Sequence, residues 1–175
     1  MTGATTLTDL VGAYVHDPQP ERLRELRSVV RGSPTFDPDL DVAAVVGTSL
    51  DDGRASDTIR ALTGKMPGAA LNPRAHAVLA SAFEEVGDEA AARRERLMAQ
   101  LSITSILSTG DGTRERPWSV LRVADEYDVL RAKNIRPVQQ AVLQADGRVL
   151  DGHEDAAGGR VWFALEDARS LGGEL

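Results

Sequence analysis

Residues 72–107 read NPRAHAVLASAFEEVGDEAAARRERLMAQLSITSIL, and Gly110-Asp111-Gly112 follows almost at once. This stretch reads as a helical hairpin. Asn72-Pro73 opens the first helix, with an amide side chain to accept an orphan N–H and a proline at the first helical position, where no N–H is missed. Ala75, Val78, Leu79, Ala82, Phe83 and Val86 then recur at helical spacing and make one apolar face. Gly87 suits the left-handed residue that ends a helix, and Asp88 caps the next while sitting at its positive end. The second helix runs from about Glu89 to Leu107. Ala91 and Ala92 permit close approach, and Leu97, Met98, Leu101, Ile103, Ile106 and Leu107 carry the apolar surface. Arg93, Arg94 and Arg96 form the polar side, with Glu89 four residues ahead of Arg93 as a helix-stabilising pair.

The order Leu79-Ala80, Phe83, Gly87-Asp88 and Ala92 resembles a tetratricopeptide repeat, whose unit is a helix pair of about 34 residues. One unit earlier, Gly53 stands for Gly87 and Val45 for Leu79. The echo is degenerate, with Ser49 at the aromatic position and Thr58 at the alanine position. The resemblance implies helix pairs that each bury their apolar face on a neighbour.

Upstream, Thr6 to Val15 reads as a first helix with Thr6 and Asp9 at capping-box spacing. Asp17-Pro18-Gln19-Pro20 breaks it, and a second helix runs from about Glu21 to Arg31 until Gly32-Ser33-Pro34. Asp37-Pro38 is expected to start a third, carrying Leu40, Ala43, Val45, Val46 and Leu50. Asp51-Asp52-Gly53 turns the chain into a short fourth helix from Ser56 to Thr63.

Downstream of Leu107 the character changes. Residues 108–117 are polar, contain glycines and end in proline, so they form a loop and a natural boundary. Trp118 to Val123 alternates as a strand, and Asp125 to Lys133 follows as a short helix with Tyr127 and Leu130 on one side. Gln139 to Gln144 is a second strand, Asp146-Gly147 a hairpin turn, Val149 to Glu154 a third strand and Arg160 to Leu165 a fourth. Residues 166–175 read as a frayed helical tail. The expected fold is α+β: N-terminal antiparallel helix pairs over residues 1–107, then a small, mostly antiparallel β-sheet with one helix over residues 108–175.

Composition narrows the function classes. The 175 residues hold 20 basic and 27 acidic side chains, a net charge of −7, which favours solubility and argues against nonspecific nucleic-acid binding. The apolar runs are too short to cross a bilayer, and the first residues lack the charged start and apolar core of a secretion signal, so a cytoplasmic protein is expected. Without cysteine there are no disulfides, thiolate nucleophiles or sulfur-bound metals. No Gly-x-Ser-x-Gly elbow, phosphate loop or calcium loop is present.

The second half carries a further resemblance. Ile106 to Gly112, Pro117-Trp118-Ser119-Val120, Val123-Ala124-Asp125-Glu126-Tyr127-Asp128-Val129-Leu130 and a strand ending in Val161-Trp162-Phe163 occur in the order of a bacterial family catalogued as domain of unknown function 4919. The chain is similar to it from about Asn72 to Leu165. The resemblance implies repeat-like helices ahead of a compact sheet and carries no activity. Where the family reads Gly-His before its next strand, this chain has Gly147-Arg148, and its nearest histidine is His153.

Candidate chemistry is sparse. Asp111, between two glycines, could ligate a metal or a hydroxyl, while Asp-Gly pairs are first of all turn-formers. Asp151 and His153 sit two apart and share a face on a strand, fit for acid/base work, although two polar residues on the solvent side of a hairpin give the same pattern. With no third ligand visible, no metal or other cofactor is expected. His76 reads as packing and His16 as a helix-end residue. Trp118 and Trp162 would anchor a partner if exposed and fill the core if inward. Arg136, Gln139 and Gln140 could line a cleft.

The expected role is therefore a protein- or peptide-binding module. The alternatives are a small hydrolase or tailoring enzyme, with Asp111, Tyr127, Asp151 and His153 converging on one pocket, and a regulator of one specific protein.

Overall fold

The computed structural model describes residues 6–49, 53–145 and 147–166. The chain is α+β, with seven helices among these residues, mostly in the N-terminal part, and one four-stranded sheet. Two compact units divide it. One holds Met1–Asp37 and Asp41–Ser102, the other Pro38–Leu40 and Ile103–Leu175.

The helical unit begins with α1 (Leu7–His16), where Thr6 and Asp9 form both bonds of a capping box. Those bonds hold the Asp9 carboxyl below its ordinary value, the Thr6 side chain contributing most. Proline at the first turn starts α2 (Pro20–Arg31), which packs on α1 and buries Leu23, Leu26 and Val30. The third helix is shorter than its sequence suggests. Residues 38 and 39 form a turn, and α3 (Val42–Val46) starts only where the Asp41 side chain accepts from the Ala44 N–H. Leu50, Asp51 and Asp52 lie outside the described residues. After Gly53, α4 (Ala55–Thr63) packs on α3 and on the next helix. Gly68 is needed in the connection that follows, because a Cβ there would stand 2.3 Å from the Thr35 and Phe36 backbone.

The hairpin forms as its sequence directs. Asn72 Oδ1 accepts from the Ala75 N–H and starts α5 (Pro73–Glu85); Gly87 takes φ +81°; Asp88 accepts from Ala91 and starts α6 (Glu89–Leu107). Fold-back is shown by His76 meeting Glu95 and Glu84 meeting Arg96, since a straight helix would hold the first pair roughly 28 Å apart. Val86 and Leu97, expected on the apolar faces, are exposed. The division between units falls inside α6, ahead of the loop, because Ile103, Ile106 and Leu107 pack in the core of the sheet unit.

In that unit β1 (Trp118–Val120) is three residues long, since Arg122 already caps α7 (Val123–Ala132). Next come β2 (Pro137–Ala145), β3 (Arg148–Asp155) and β4 (Arg160–Leu165), in the sheet order β1-β4-β3-β2. The sheet is mixed: β2–β3 and β3–β4 are antiparallel, and β1 lies parallel to β4. Gly147 turns the hairpin at φ +73°; Asp146 and the tail after Glu166 lie outside the described residues. Trp118, Val120, Phe163, Val129 and Leu130 form the core between sheet and helix, and Leu150, Trp162 and Ala164 cluster on the opposite face.

Candidate functional site

The sheet register decides where the polar groups go. Asp151 and His153 alternate with Gly152 on β3, so both point to the side that holds Phe163, while Gly152 leaves room on the other side for the Trp162 ring. A Cβ at position 152 would meet that ring at 2.6 Å, so the small residue is required between the two polar ones. From α7, Glu126 reaches the same place. His153 Nε2 and Glu126 Oε2 are 2.8 Å apart, and each side chain is 1% exposed. Glu126, Asp151 and His153 each offer one donor atom within 4.8 Å of the others.

Around this cluster a short relay runs to the surface. Tyr127 Oη donates to Gln140 Oε1 at 3.2 Å, and Gln140 Nε2 donates to Asp151 Oδ2 at 2.6 Å. Asp151 Oδ1 is buried with no N–H or hydroxyl donor, and the Asp151 carboxyl meets that of Glu126. The His153 ring lies edge-on between Tyr127 and Phe163, with centroids 5.5 and 5.6 Å away, which fixes its plane. Val142, opposite Asp151 on β2, is exposed, as is Tyr127, so Asp151 is the half-buried member nearest water.

Charge in this cluster is unbalanced. Burial, and then the negative charge of Asp151, push the Glu126 carboxyl up to about 9, so near neutral pH it is an acid beside a carboxylate. Burial lowers His153, and Asp151 opposes that shift. A carboxyl that keeps its proton beside a second carboxyl group can hold and pass that proton.

A different arrangement occupies the helical unit. An open groove of about 420 Å³ is lined by Leu7 and Val11 of α1, Met66, Leu79 and Phe83, and Met98 of α6. Polar residues line it too, Thr8, Thr63, Glu95 and His76, and His76 Nε2 lies 2.9 Å from the Ala70 carbonyl and Nδ1 2.6 Å from Glu95 Oε2. A carbonyl only accepts, so Nε2 donates to Ala70, and Nδ1 faces the Glu95 carboxyl.

The chain matches no family model, no curated protein and no solved structure. Its sites rest on geometry alone.

Of the residues singled out in the sequence, Tyr127, Gln140, Asp151 and His153 come together. Asp111 is not among them: it accepts from the Thr113 N–H and hydroxyl and pairs with Arg116, and these bonds, the Thr113 side chain's first, lower its carboxyl. Trp118 and Trp162 are both inward, on opposite faces of the sheet, so neither forms an exposed anchor. Arg136 is exposed just ahead of β2. Glu126 was missed, although one signal was present. It stands three and four residues before Val129 and Leu130, on the apolar face of α7.

Proposed function

We propose that the helical unit is a binding module that takes an apolar segment of a protein or peptide partner, in a chain that works in the cytoplasm. The observation that carries this is the groove: six apolar side chains from four parts of the unit line it, with the His76–Glu95 pair in the same lining to orient what enters. Large apolar anchors seated in such a groove dominate peptide recognition, and a polar pair in its lining contributes direction. The tetratricopeptide-like order of Leu79, Phe83, Gly87 and Ala92 supports the same reading. In keeping with this, no helix among the described residues is long and apolar enough to cross a membrane.

Panning a displayed peptide library against the folded chain tests it. Enriched peptides should share a large apolar anchor, and Phe83→Lys should abolish their binding while leaving the helical circular dichroism unchanged. No enrichment, or binding indifferent to Phe83→Lys, contradicts the proposal.

A second reading, a small acid/base enzyme, has its own observation in the convergence of Tyr127, Asp151 and His153 with Glu126. Turnover of a chromogenic ester or phosphoester that disappears in Asp151→Asn is its expected result. Activity that survives the substitution would rule it out.

A further inference from the structure

The cluster on the sheet unit has the makings of a site for something other than a proton. Its three donors are one imidazole nitrogen and two carboxylate oxygens, contributed by two elements, α7 and β3, so the site exists only in the folded chain. His153 Nε2 and Glu126 Oε2 lie 2.8 Å apart and all three donor atoms lie within 4.8 Å of one another, a spread that brackets the roughly 3–4 Å between ligands bound at about 2.0–2.2 Å to a single ion. Two carboxyl groups face one imidazole, and no lysine or arginine among the described residues pairs with Glu126 or Asp151. Asp151 Oδ1 is buried with no N–H or hydroxyl donor and its carboxyl meets that of Glu126, while Oδ2 is fixed by Gln140, itself held by Tyr127. An outer hydrogen bond that orients a carboxylate is the usual support of a metal ligand.

We propose that Glu126, Asp151 and His153 bind one divalent transition-metal ion of the zinc class. The nitrogen donor favours that class over magnesium and calcium, which take oxygen ligands. Three protein ligands leave a coordination position for water or substrate, as in catalytic rather than closed structural sites. Half-buried Asp151 is where that position meets solvent. This site is independent of the helical groove, and either can fail alone.

The test uses the full chain, stripped with chelator and then freed of it. Titration with zinc chloride, followed by gel filtration and elemental analysis, should give about one zinc per chain. Asp151→Asn should weaken binding by at least about 100-fold, and Gln140→Ala, at an exposed residue whose loss leaves the core untouched, by about 10–100-fold. His16→Gln should change nothing. Should Asp151→Asn fail to fold, Gln140→Ala decides. No retained zinc in the wild type, or zinc binding unaltered in Gln140→Ala, would overturn the proposal, as would zinc displaced by an equal concentration of magnesium.

Discussion

Each unit buries a histidine against a glutamate, and the two pairs differ in what else is present. His76 has a carbonyl on its second nitrogen, so both ring nitrogens are engaged, and with Glu95 it lines an apolar groove. His153 has no such simple companion. Glu126 is followed within the same few ångströms by Asp151, and the surplus negative charge must be met by a proton or a cation. Burial alone therefore does not decide what a histidine–glutamate pair does; the third group does. A completed pair organises a surface, whereas an incomplete one is chemically available.

Four experiments break or sharpen that contrast. The largest effect is expected from Phe163→Ala, which removes the fully buried ring packed against His153 and should cost about 3–5 kcal/mol in chemical denaturation. Loss of under 1 kcal/mol would mean that the ring does not support the cluster.

The second experiment concerns pH. Glu126 keeps its proton to about 9 in the folded chain, against 4.5 ordinarily. Between those values the folded chain holds a proton that the unfolded chain has released. This group's contribution to stability is therefore complete below pH 4.5 and is lost as pH rises toward 9. In chelator-treated protein, urea denaturation at pH 6 and pH 8 should show the wild type losing stability, by no more than about 1.4 kcal/mol per pH unit from this group, and Glu126→Gln losing less. Parallel curves would remove the charge imbalance from the comparison.

At the other pair, Glu95→Ala should cost about 1–2 kcal/mol, because it strips a charge-assisted bond from a buried ring that retains its bond to Ala70. A null effect would place the His76 pair outside the packing of the groove. Smallest is Tyr127→Phe, which deletes an exposed hydrogen bond and should cost under about 1 kcal/mol while weakening the hold on Gln140. A larger loss would show that the relay to Asp151 supports the fold as well as the site.

Much of the fold was legible because local signals and tertiary packing agreed. Asn72-Pro73, Gly87-Asp88 and the Thr6–Asp9 box act through bonds within a few residues, and all formed. The third helix departed because the cap that wins is Asp41, not Asp37, and the first strand was cut short because Arg122 and Val123 already begin α7. The parallel pairing of β1 with β4 had no local signal at all, since it joins residues some forty-five positions apart. At the site, strand alternation placed Asp151 with His153, but Glu126 comes from another element. Its acidic neighbours Asp125 and Asp128 made it look like one more solvated charge.

The central claim is that the two pairs are unlike, and nitrogen-15 spectra of the histidine rings in the full chain test it most directly. With one equivalent of zinc added to metal-free protein, the His153 ring signals should move to those of a metal-bound imidazole while those of His76 and His16 stay in place. Movement at His76, or no movement at His153, would contradict the account.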